Sequence, residues 1–105
     1  MTKKEVHKNY YAVIFTSKRT QCEESYKEVS NQMELLAQKQ PGFLGLDSAR
    51  SEIGITVSYW ESLEAIKYWK QHAEHKIAQK KGREKWYSQF HVRICKVERE
   101  YAFSK

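Results

Sequence analysis

The chain has 105 residues, 40% hydrophobic and 30% charged, with three tryptophans, seven tyrosines and four phenylalanines. That size and aromatic content fit one domain with a packed core, and exclude a disordered chain, a collagen-like repeat or separate catalytic and binding modules. Nineteen basic residues against thirteen acidic give a net charge of +6, with no apolar leader and no run long enough to span a membrane, so the expectation is a cytoplasmic protein without membrane contact.

Residues 1–9 are polar and charged and read as a flexible N-terminal arm, leaving 10–105 as a single domain. Tyr10 to Phe15 is an unbroken apolar run rich in β-branched and aromatic residues. Its shortness favours a strand over a helix. Because it does not alternate, both of its faces should be covered. Two capping-box patterns follow, Thr20-Gln-Cys-Glu23 and Ser25-Tyr-Lys-Glu28. A helix starts at one of them, and the spacing leaves both open. Its apolar stripe is Cys22, Tyr26, Val29, Met33, Leu36 and Ala37, and Pro41-Gly42 stops it.

Phe43 opens a second strand that runs to about Arg50. Ser51 to Gly54 supplies turn chemistry, with Gly54 suited to a positive φ. Ile55 to Trp60 alternates as a third strand, antiparallel to the second. Ser62 is the natural N-cap of a second helix. Leu63, Ile66, Trp69, Ala73 and Ile77 recur at helical spacing, but Lys70 falls within that stripe. This predicts a break or kink near residues 70–73, with the helical pieces ending at Gly82. The last strand spans roughly Gln89 to Ala102. Phe90, Val92 and Ile94 share one parity, while Cys95, Val97 and Tyr101 share the other. Either a bulge shifts the register or both faces are covered.

The order β-α-β-β-α-β is the ferredoxin-like plan, an α+β fold with one antiparallel sheet and both helices on one face. The other sheet face is left apolar and bare. Burying it against an identical sheet is the simplest solution. Even ~600 Å² of apolar area per subunit supplies on the order of 15 kcal/mol before association costs. A homodimer through the sheet face is therefore expected.

Cys22 and Cys95 lie in no metal-binding spacing and are expected to be free thiols. The basic excess concentrates in Lys76, Lys80, Lys81, Arg83 and Lys85. With no nucleic-acid motif beside it, this reads as a solvated helix end, and no nucleic-acid partner is expected. His72 and His75 stand three apart, on neighbouring turns of one helical face. They lack a third ligand, so no metal site is expected. Two readings stay open for them. They either line a small-molecule pocket with Trp60, Tyr68 and Trp69, where an imidazole accepts a phenol proton, or they merely pack the helix. No phosphate loop, hydrolase elbow or flavin or nicotinamide fingerprint is present.

Gln40-Pro-Gly-Phe-Leu-Gly45, Gly54-Ile-Thr-Val-Ser-Tyr-Trp-Glu-Ser62, Ala65-Ile-Lys-Tyr-Trp69 and His72-Ala-Glu-His75 together resemble the antibiotic-biosynthesis monooxygenase (ABM) domain family. The resemblance runs from Tyr10 to Phe103. It implies a dimeric α+β barrel. It also implies oxidation of a small aromatic or quinone-like substrate by O₂ without a cofactor, or non-catalytic ligand binding on the same scaffold. His72 and His75 are the candidate catalytic residues; Trp60, Tyr68, Trp69 and Gln79 are the candidate substrate contacts. Trp69 matches the helix tryptophan that lines the family pocket. A haem-degrading branch places a histidine ligand after an alanine further along that helix, where this chain has Gln79 after Ala78. That branch also uses an asparagine on the first strand, and Tyr10 to Ser17 contains none. Haem thus enters only with His75 as its ligand.

Overall fold

The computed structural model describes residues 4–5, 9–79 and 85–105, and the side chains among these except those of 4–5 and 74–79. The expected arm lies mostly outside the described residues, as do the helix end at Gly82 and much of the basic segment. The elements run β1 (Lys4–Glu5), β2 (Tyr10–Arg19), α1 (Tyr26–Gln38), β3 (Phe43–Arg50), β4 (Gly54–Trp60), α2 (Leu63–Gln79), β5 (Tyr87–Val97) and β6 (Tyr101–Ala102). β2 to β5 form one antiparallel sheet in the order β3-β4-β2-β5, and β1 pairs with β6 apart from it. This is the ferredoxin-like arrangement expected from the element order, with both helices on one side.

Directly opposed residues of antiparallel strands share a face, so the register sorts the sheet into two surfaces. Tyr11, Val13, Phe15 and Ser17 of β2 stand opposite Trp60, Ser58, Thr56 and Gly54 of β4. On the other side they stand opposite Lys96, Ile94, Val92 and Phe90 of β5. Tyr11 and Val13 pack against the core of Ala37, Trp60 and Ile66, so this is the helical side. Tyr10, Ala12 and Ile14, with Tyr59, Val57 and Ile55, and Val97 and Cys95, make the rear. No described element covers that rear. At one end it forms an open concavity of about 730 Å³ that reaches across the sheet from Val97 past Tyr10 and Tyr59 to Leu44.

The first helix starts at the later of its two candidate sites. Ser25 is its N-cap, with φ of 61° and no side-chain cap bond. Thr20 is engaged elsewhere: its hydroxyl donates to the Lys85 carbonyl at 2.5 Å and accepts from the Cys22 amide at 3.2 Å. It ties the end of β2 to the start of β5. The Pro41-Gly42 stop forms as expected. Gly42 has φ of 83°, and a Cβ there would lie 2.7 Å from that of Ala65. Gly42→Ala should therefore cost about 2 kcal/mol, combining left-handed strain with a contact neither backbone can easily relieve. Urea unfolding would show it; an unchanged midpoint would contradict this account of the turn.

Three expectations are corrected. Gly54 does not take a positive φ. It is buried within β4 because the Arg50 side chain crosses its face to donate to the Ser17 hydroxyl, in the place a Cβ would occupy. The helix α2 is continuous through residues 70–73. Its buried stripe is carried by Ile66, Trp69 and Ala73, while Leu63 and Lys70 lie on the exposed flank. The apolar stripe is narrower than the pattern of hydrophobic residues implied, so Lys70 needs no kink. Finally, the register shift in β5 lies opposite Lys18 and Arg19, before Phe90. The change of parity after Ile94 is thus a true change of face, and the strand ends at Val97. Ser62, by contrast, caps α2 as expected, accepting from the Ala65 amide at 3.1 Å.

Candidate active site on the helical side of the sheet

The candidate site grows from a stack of two tryptophans. Trp60 has no exposed surface. Its indole N–H donates to the buried Ser58 hydroxyl at 2.8 Å, and Phe43 meets it edge-on at 5.4 Å. Trp69 of α2 stacks over it at 6.1 Å and 22° and keeps part of its ring accessible. Trp60 is therefore the buried member of the stack and Trp69 the more accessible one. From Trp60 the sheet continues through Tyr11 and Val13 to Ile94 and Val92 on β5. Val92 and Ile94 are each 49% exposed although they face the helical side. They are exposed apolar residues of this sheet face, on the strand two away from that of Trp60.

Tyr68 and His72 occupy the outer flank of α2. Their rings lie 4.6 Å apart, both are exposed, and the His72 Nδ1 is 3.1 Å from the Tyr68 carbonyl oxygen. Tyr68 also borders a shallow groove of about 420 Å³ with Pro41 and Glu64. His72 follows Trp69 by three positions, which sets it about 60° around the helix. The structure thus brings Trp60 of β4 together with Trp69 of α2, and Tyr68 together with His72 on the exposed flank of the same helix. His75 and Gln79 lie in α2 where side chains are outside the described residues.

A second aromatic group at the far end of the sheet escaped the sequence reading. Tyr26 packs edge-on against Trp86 and Tyr87, and Tyr87 against Phe15. Trp86 is buried and donates to the Glu24 carbonyl at 2.7 Å. Arg19 lies over the Tyr26 ring at 3.2 Å and donates to the Trp86 and Cys22 carbonyls at 3.0 and 2.7 Å. Only the adjacent Trp86-Tyr87 pair hinted at this anchor, because the partners come from three separate elements. Burial, and then the hydrogen bond to Tyr26, push the Tyr87 phenol well above its ordinary value. For an acid with a raised native pKa, the stabilisation is intact below the unfolded value near 10 and is lost as pH rises beyond it. Melting temperature should fall from about pH 10 upward, and Tyr87→Phe should flatten that fall. An identical alkaline slope in the variant would contradict the assignment.

Both cysteines are free, and no helix among the described residues is long and apolar enough to cross a membrane. The Rv0793 protein of Mycobacterium tuberculosis superposes with a TM-score of 0.66 at 14% identity, over 84% of this chain and 92% of that one. SnoaB, a cofactor-independent oxygenase from Streptomyces nogalater, superposes with a TM-score of 0.66 at 10% identity, over 82% of this chain and 90% of SnoaB. At these identities the likeness shows the shared fold. The uncharacterized protein YqjZ of Bacillus subtilis (strain 168) is 47% identical over 98 residues, 91% of this chain and 86% of YqjZ. The model of one family, described as antibiotic biosynthesis monooxygenase, matches residues 12–81. That span begins near the start of β2 and includes the stacked tryptophans and all of α2, and it places this chain in the antibiotic biosynthesis monooxygenase family.

Proposed function

We propose that the chain is a cofactor-independent monooxygenase for a small, electron-rich aromatic substrate. The observation that carries this is Trp69, partly exposed and stacked on the fully buried Trp60, on the sheet face whose β5 residues Val92 and Ile94 are uncovered. An aromatic substrate stacks on such a ring and loses water on that face. The substrate supplies the electrons. For an anthrone-type methylene next to a phenol, a proton first passes to an imidazole, and the resulting anion reacts with O₂. One oxygen atom becomes the new carbonyl, the other leaves as water, and the four electrons that O₂ accepts come from the CH₂ group. In this reading His72 or His75 accepts the proton, and Tyr68 and Gln79 are the further substrate contacts assigned to α2.

Two copies are inferred to join through the rear faces, which supports the same site by fixing the sheet beneath it. Oxygen uptake with a panel of anthrones and hydroxyquinones tests the activity. Uptake above buffer is expected, with kcat/KM reduced at least 10-fold by Trp69→Ala and by a His72→Ala, His75→Ala double variant. Ligands that raise the melting temperature without oxygen uptake would replace this reading with a non-catalytic binding protein.

A further inference from the structure

The strand register places two polar groups in line with the tryptophan stack. Tyr11 of β2 stands directly opposite Trp60 of β4, and Lys96 of β5 stands directly opposite Tyr11. Opposed residues share a face, so Trp60, Tyr11 and Lys96 form one row across the helical side of the sheet. Tyr11 and Trp69 both pack against the Trp60 core, and both keep part of their surface accessible. Lys96 is exposed. Neighbouring strands lie about 4.8 Å apart, which sets the Lys96 backbone ~10 Å from that of Trp60. A flexible lysine stem on one side and a fused aromatic ring on the other span such a gap together.

The sheet also sorts charge at this end. Asp47 and Glu100 line the rear concavity, whereas Lys96 stands on the opposite face. Among the described residues, neither the Lys96 ammonium nor the Tyr11 hydroxyl has a hydrogen bond or ion pair to another side chain. One row thus combines stacking surface with two uncommitted donors, one of them charged. A flat ring bearing an oxyanion satisfies both kinds of group at once. Its face meets the indole, and its oxygen accepts from the ammonium and the phenol in bonds roughly twice as strong as those to a neutral oxygen.

We propose that Lys96 and Tyr11 select an aromatic ligand carrying an anionic oxygen (a phenolate, enolate or carboxylate), and hold that oxygen while the ring stacks on Trp69. This rests on the reading of Trp69 as the ligand-stacking residue and adds the charge of what stacks there. In the oxygenation proposed above, the substrate becomes an anion before it meets O₂. The Lys96 charge lowers the cost of that anion and is not consumed; the proton still passes to the imidazole.

Naphthoate and naphthamide, similar in shape and different in charge, test this by titration calorimetry with the full chain at neutral pH. The parent chain should bind naphthoate at least ~10-fold more tightly than naphthamide. Lys96→Gln should abolish that preference and leave the naphthamide affinity within about 2-fold of the parent value. Tyr11→Phe, which keeps the ring and removes the donor, should narrow the preference about 3-fold. Trp69→Ala should weaken both ligands alike. A preference that survives in Lys96→Gln, with Trp69→Ala still weakening both ligands, would overturn the charge selection and leave the stacking site standing. A parent chain that binds neither probe, or binds both regardless of Trp69→Ala, would overturn the two together.

Discussion

Trp60→Ala should lower the free energy of unfolding by about 3–5 kcal/mol. That is a large share of the roughly 5–15 kcal/mol that holds a domain of this size together. Three effects act together. A large, fully buried side chain is removed, leaving a cavity between Ile66 and Ala37. Phe43 and Trp69 lose the ring they pack against. The buried Ser58 hydroxyl loses its indole donor. The melting temperature should fall by ~15 °C or more. Trp60→Phe keeps most of the volume and should cost only ~1–2 kcal/mol. A fall of less than ~5 °C in the alanine variant would mean that the core lies elsewhere. Because Trp69 rests on Trp60, even the phenylalanine variant should weaken aromatic ligand binding.

The second large effect concerns the rear of the sheet. Ile55 and Cys95 are both exposed there within one chain. An aspartate at either place is therefore compatible with the folded subunit. In a face-to-face dimer it becomes a buried charge without a partner, and symmetry presents it twice. Ile55→Asp with Cys95→Asp should raise the dimer dissociation constant by a factor of ~1,000 or more. Circular dichroism should report an intact fold. A double variant that dimerises as well as the parent chain would place the contact on another surface.

The sequence allowed the order of elements to be read because the signals were local. The apolar run from Tyr10, the Pro41-Gly42 stop and the Ser62 cap each act within a few residues of themselves. Trp69 could be picked out because helical spacing set it on the stripe facing the sheet. What stayed hidden was contact between distant segments. The Arg50 side chain uses Gly54 as a flat surface on its way to Ser17, across two neighbouring strands. Nothing near Gly54 in the chain announces this, so the glycine resembles a turn residue. Trp86 finds its acceptor on Glu24, 62 positions away. Lys70 misled for the opposite reason. Helical periodicity gives the angle between residues but not the width of the buried strip, and here the sheet covers only the side occupied by Ile66, Trp69 and Ala73. The bare rear face was legible from parity alone, since Val97 and Cys95 stand out of phase with Val92 and Ile94.

Sedimentation equilibrium of the unmodified chain at micromolar concentration tests most directly whether that rear face is shared. A species of twice the 12.5 kDa subunit mass is the predicted result. A single species of 12.5 kDa throughout the concentration range would contradict it.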